Sequence, residues 1–150
     1  MDRSIEWILK KKGPQVVAVG PDATVREAVH RMNEAHTGSV LVVDRGALMG
    51  IFTERDVLQR IAEMRRDVDR TRVSEVMSRN PLIASPHQTV GRTLALMTER
   101  RVRHLPVVHE GRILGVVSIG DLVWSITTDL RHAVHDLHTY IHGPVSRPAP

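Results

Sequence analysis

Two short stretches place a hydroxyl and a carboxylate at the same separation. Positions 50–58 read GIFTERDVL and positions 115–123 read GVVSIGDLV. Each runs glycine, two apolar residues, a hydroxyl residue, two variable residues, aspartate, two apolar residues. Thr53 and Ser118 stand where an apolar, β-rich run gives way to a helical pattern. Backbone N–H groups at a helix start lack intrahelical partners, and the helix dipole is positive there. A hydroxyl at that point can cap the helix or bind an anion such as phosphate. Three residues on, Asp56 and Asp121 fall in the first helical turn. A carboxylate there offers two acceptor oxygens, which suits a vicinal diol such as that of ribose. The same spacing is also a variant of the capping box, and one copy alone leaves both readings open.

The elements that position these residues are duplicated. With a shift of 65 residues the two halves align without a gap: Pro21 meets Pro86, Thr24 meets Thr89, Met32 meets Met97, Gly50 meets Gly115 and Asp56 meets Asp121. An internal repeat of this kind makes the chain one supersecondary unit used twice. Short apolar runs at 15–19 and 81–84 predict first strands. Thr24 and Thr89 then read as N-caps. Val25, Ala28, Val29 and Met32 follow at helical spacing, as do Val90, Thr93, Leu94 and Met97. The segments SVLVVD and HLPVVH are strand-like. Tight turns follow at DRGA and HEGR, with Gly46 and Gly111 at positive φ. The strands LMGIFT and ILGVVS lead into the helices ERDVLQRIAEM and IGDLVWSITTDL. Each unit thus reads β-α-β-β-α, in an α+β layered fold with the two units packed sheet to sheet. One unit has little core of its own.

Composition narrows the rest. The chain has 150 residues, 41% hydrophobic but only 3% aromatic, so its core must be built from Val, Leu, Ile, Met and Ala. It has no cysteine, which excludes disulfides, thiolate metal sites and a cysteine nucleophile. No apolar run approaches the ~20 residues that span a bilayer, and the N-terminus does not read as a secretory signal. A cytoplasmic location without membrane contact is the expectation. The net charge of +4 is mixed. Its basic residues are not interleaved with aromatics as a nucleic-acid platform requires, so nucleic acid is not expected as a partner.

The pattern Gly-apolar-apolar-Ser/Thr-x-x-Asp, after R-x-x-P-V-V in RVRHLPVV, resembles the CBS (cystathionine-β-synthase) domain. The tandem arrangement resembles a CBS pair, or Bateman module, spanning about residues 8–127. The expected spans are 8–66 and 73–127 for the repeats, 128–142 for a C-terminal helix and 143–150 for a tail. The resemblance implies a regulatory module that binds an adenine nucleotide (AMP, ADP, ATP, an NAD-type molecule or S-adenosylmethionine) in clefts between the repeats. It implies a regulatory ligand rather than a cofactor, no catalysis, a homodimer assembled through helices and a protein effector that reads the signal. By that resemblance Asp56 or Asp121 holds the ribose, with Thr53 or Ser118 near the phosphates. The backbone near Val17–Ala18 or Ile83–Ala84 reads the adenine edge. Ile51 and Val116 flank the base, and Arg103 and His104, ahead of Pro106, face phosphates. Thr37, Gly38 and Ser39 occupy the matching place in the first unit, and Gly120 and Arg55 lie beside the aspartates. The first unit departs from the pattern, with Gly38, Ser39 and Leu41 where the second has Arg103, His104 and Pro106. The two sites should therefore differ.

Other constellations carry less. His132, His135, His138 and His142 share a helical face at spacings of three, three and four. They could ligate a metal, but metal sites draw ligands from more than one element, and a wet face beside Ala133, Val134, Leu137 and Ile141 accounts for them. Tyr140-Ile141-His142-Gly143 resembles an ending found after CBS pairs. Trp7 and Trp124 read as core or interface anchors, and Met32, Met64, Met77 and Met97 as core filler. No nucleophile elbow, P-loop, GxGxxG or HExxH is present. The rival readings are a dimerising scaffold that binds no ligand, a metal sensor and a nucleic-acid binder.

Overall fold

The computed structural model describes residues 3–13 and 15–142. The expected tail, 143–150 with Gly143, lies outside them. Helix α1 (Ile5–Lys12) comes first, N-capped by Ser4. The first unit comprises β1 (Ala18–Val19), α2 (Val25–Glu34), β2 (Ser39–Asp44), β3 (Ala47–Thr53) and α3 (Glu54–Asp56), which continues as a π-helical segment over Val57–Ala62. Helix α4 (Val73–Val76) and strand β4 (Ser78–Arg79) link the units. The second unit has α5 (Val90–Arg100), β5 (His104–His109), β6 (Arg112–Ser118) and α6 (Ile119–His142). The α+β class and the tandem repeat are as the sequence predicts.

The repeat extends to fine detail. β2 and β3 pair antiparallel with Val42 opposite Gly50 and a bulge at Val42/Val43; β5 and β6 repeat this with Val107 opposite Gly115 and a bulge at Val107/Val108. Both hairpins turn on two positive-φ residues, Arg45–Gly46 and Glu110–Gly111, the pattern that matches strand twist. Thr24 and Thr89 accept from Glu27 and Arg92 N–H and cap α2 and α5.

Three local expectations need correction. The run 81–84 contributes only a parallel bridge from Ala84 to Val107: Pro81 has no N–H to give and Ile83 turns out to solvent, leaving only Ala84 buried. The helix after Thr53 widens into a π-segment, which turns Ile61 into the core and leaves Leu58 exposed. Met64 is 64% exposed, unlike Met32, Met77 and Met97, which are buried; it lies in the turn beyond the π-segment. Residues 128–142 form the continuous second part of α6.

The core is crossed. Val73, Val76 and Met77 of the linker pack with Val25, Ala28, Met32, Val40, Val42 and Phe52 of the first unit. Ile5 and Ile8 of α1 pack with Val90, Met97, Leu105, Val117 and Leu122 of the second. Each helix therefore completes the unit that does not follow it in the chain. The backbone bonds mirror this. Val25 N–H donates to Thr71 C=O and Val90 N–H to Arg3 C=O, both at 2.9 Å. Residues 8–12, at the head of the span 8–66, thus sit with the second unit. Trp7 stacks on Trp124 at 6.1 Å between ring centroids, and Arg3 pairs with Asp129, so α1 runs along the first half of α6.

Candidate functional site

β3 ends at Thr53, and α3 begins at once. The Thr53 N–H and hydroxyl both donate to Asp56 Oδ2, at 2.8 and 3.1 Å. Asp56 is 5% exposed, and its Oδ1 lies 3.4 Å from Arg60 Nε. The capping geometry is thus present and uses one carboxylate oxygen, while the other meets a cation at a long distance. Glu54 N–H donates to Gly38 C=O at 3.0 Å, tying the turn to the start of β2.

This turn opens into a cleft of about 610 Å³ between the units. Seven of the expected site residues line it: Gly38, Ile51, Thr53, Arg55, Asp56, Arg103 and His104. The sequence reading missed Arg60, Arg79 and Asn80–Leu82, which also line it. Arg60 was legible at four residues from Asp56; the linker residues were not, because nothing local says that β4 pairs with β3. Arg55, Arg60, Arg79 and Arg103 line the cleft together with Glu54 and Asp56, an excess of positive charge suited to phosphate. Arg55 donates to Arg101 C=O at 2.7 Å, bridging the units. Arg60 donates to the carbonyls of Val76 and Met77, each at 2.7 Å, which fixes its guanidinium beside Asp56. Arg103 and His104 stand at the second turn, where Ile119 N–H donates to Arg103 C=O at 2.9 Å and His104 pairs with Ser118, and also line the cleft of the first.

The second turn repeats the clamp. Ser118 N–H and hydroxyl reach Asp121 Oδ2 at 2.8 and 2.9 Å. Lys12 Nζ donates to the same oxygen at 2.8 Å and to Val116 C=O at 3.1 Å. Burial pushes the Asp121 carboxyl up, but the Lys12 ammonium and the Ser118 donors together outweigh it and leave the group below its ordinary value. His104 is pushed down by burial; Glu54 and Asp121 oppose that, and Lys12 and Arg103 add to it. It therefore feels charges of both turns. Lys12 was missed because its partner lies 109 residues away.

The remaining expected residues are elsewhere. Ser39 is buried opposite Thr53 in the sheet. Ala18 pairs with Leu41, and Val17 C=O accepts from Leu41 N–H. Thr37 N–H closes the end of α2 on Met32 C=O. Ala84 is buried in the second core, Pro106 C=O accepts its N–H, and Ile83 is exposed. Gly120 lies in the first turn of α6. Among the described residues no group of three or more His, Asp or Glu side chains is placed to hold a metal, and no helix is long and apolar enough to cross a membrane.

Comparison with known proteins agrees with this architecture. The CBS domain family pattern matches residues 12–63 and again 73–128. A mitochondrial CBS domain-containing protein of Arabidopsis thaliana, CBSX3, is 39% identical over 149 residues, 93% of this chain and 72% of that one. A proposed signal-transduction protein with CBS domains from Burkholderia ambifaria superposes with a TM-score of 0.81 at 38% identity, covering 85% of this chain and 96% of that one. A hexameric CBS-CP12 protein of bloom-forming cyanobacteria superposes at 0.75 with 25% identity, covering 97% and 87%. With two matched repeats, a shared fold and relatives above one-third identity, this chain belongs to the CBS domain family.

Proposed function

We propose that this CBS pair senses an adenine nucleotide in the cleft carrying Thr53 and Asp56, and signals by a change of conformation read by a protein partner. The observation that carries the reading is the cleft itself: a held carboxylate for a diol, four arginines for phosphate and the apolar Ile51 and Leu82 beside them. Ligand energy shifts such an equilibrium only through differential affinity for two states. The cleft takes residues from both units, so a bound nucleotide would set their separation. The test is thermal unfolding of nucleotide-stripped protein with AMP, ADP, ATP, NAD and S-adenosylmethionine in turn. A ligand at 100 times its Kd should add about 2.7 kcal/mol, a shift of several degrees. Asp56→Asn should cancel that shift. If no ligand stabilises the wild type, the sensing reading fails.

Self-association is favoured by a separate observation. Leu130, Val134, Leu137 and Ile141 are 60–69% exposed on α6. Their alternating spacing of four and three makes the seam of a two-helix coiled coil. The chain is accordingly a homodimer. Sedimentation should give twice the mass of one chain, and Leu137→Glu should return it to monomer. A wild type that sediments as monomer refutes this.

A further inference from the structure

We infer that Lys12 is the internal occupant of the second hydroxyl–carboxylate turn, limiting nucleotide to one molecule per chain until Lys12 withdraws. The inference rests on the nucleotide reading of the Asp56 cleft.

The two turns are built alike but meet different cations. Asp56 faces Arg60, whose Nε stands 3.4 Å from Oδ1 while Nη1 is committed to two carbonyls. Asp121 faces Lys12, whose ammonium touches Oδ2 at 2.8 Å and Val116 C=O at 3.1 Å. An ammonium donates up to three hydrogen bonds. Here it spends two of them, one on the carboxylate that an incoming diol would need and one on the Val116 carbonyl beside it. The first contact is charge-assisted, hence stronger than a neutral hydroxyl could offer.

Lys12 is held at this place by its helix. α1 is fastened along α6 at three levels, by Lys12 to Asp121, Trp7 on Trp124, and Arg3 to Asp129. Ile5 and Ile8 anchor its other face in the second core. A tethered cation acts at high effective concentration, and a ligand that binds only when it is away loses affinity in proportion. The Lys12 stem is partly exposed, so withdrawal needs rotation of one side chain rather than loss of α1. In the 65-residue register of the repeat the counterpart of Lys12 is Met77, uncharged and buried in the first core, so the first turn lacks such a plug.

The test is calorimetric titration of AMP and of ATP into four proteins: wild type, Lys12→Met, Lys12→Met/Asp121→Asn, and Lys12→Met/Asp56→Asn. Methionine keeps the apolar stem and removes the charge. Lys12→Gln replaces it should the methionine variant fold poorly by circular dichroism. The expected stoichiometries are one, two, one and one per chain. The Asp121 carboxyl, followed by carbon NMR, should titrate at higher pH in Lys12→Met. Two sites in the wild type, one site in Lys12→Met or an unmoved Asp121 titration would each overturn the inference and leave the nucleotide reading standing. No binding by any of the four proteins would overturn both.

Discussion

Phe52→Ala is expected to lower stability by about 3–5 kcal/mol, the range for removing a buried aromatic ring. Phe52 is the chain's single phenylalanine and is completely buried. It lies opposite Val40 in the β2–β3 ladder, in the cluster that α2 and the linker close from either side. Several of those neighbours, Val25, Val40, Val42, Val73 and Val76, are valines. Valine is stiff at its first side-chain torsion, so the wall cannot swing into the space a ring leaves. The cavity term should therefore persist. A chain of this size shifts by about 2–4 °C per kcal/mol, which puts the melting point down by about 10 °C. Denaturant unfolding should show a lower midpoint at unchanged slope. A loss under 1 kcal/mol would mean that the first core collapses freely and is not packed as described.

The second large effect separates two glycines that the repeat makes equivalent. At Gly50 an added Cβ would lie 2.6 Å from Met77 Sδ and 2.7 Å from the Ser78 carbonyl oxygen. At Gly115 its nearest neighbours would all belong to the Leu9 side chain, Cδ2 first at 2.9 Å. The leucine methyl can rotate aside. The Ser78 carbonyl belongs to β4, which is paired to β3 at that point, and cannot. Gly50→Ala should cost about 3 kcal/mol, the upper part of the overpacking range, and Gly115→Ala about 1 kcal/mol or less. Paired denaturation curves decide it. Equal losses would show that β4 yields as easily as a side chain. Because Ser78 and Arg79 line the cleft, Gly50→Ala should also weaken the binding of any ligand held there.

Much of this arrangement is written in local sequence. The caps at Thr24 and Thr89, the bulged hairpins and the two clamps all follow from residues within about a dozen positions of one another, where spacing constrains geometry. Asp56 with Thr53 is such a case, as is Arg60 on the next turn. What the sequence hides is set at long range. Ile5 and Ile8 look like any apolar pair on a short helix, and nothing near them says which unit they serve. Arg103 and His104 do sit at the turn of their own repeat, Ile119 N–H donating to Arg103 C=O and His104 pairing with Ser118, but nothing local says that they also line the cleft of the other. Lys12 is the extreme example, a lysine in a run of three whose partner appears only once α1 is laid against α6. The π-segment after Asp56 was also invisible, since Val57, Leu58 and Ile61 fit the spacing of an ordinary helix equally well.

The crossed packing also bears on how the chain is made. The first unit has all its core partners once residue 77 has emerged from the ribosome. α1 is synthesised before it, yet its pocket is finished only when Leu122 appears. At about 5–20 residues per second, that wait is on the order of 5–20 seconds. During it Ile5, Trp7 and Ile8 travel unpaired on the nascent chain. α1 precedes both units in the chain yet is seated only with the second, so its apolar face must be kept from other hydrophobic surfaces until Leu122 has been made.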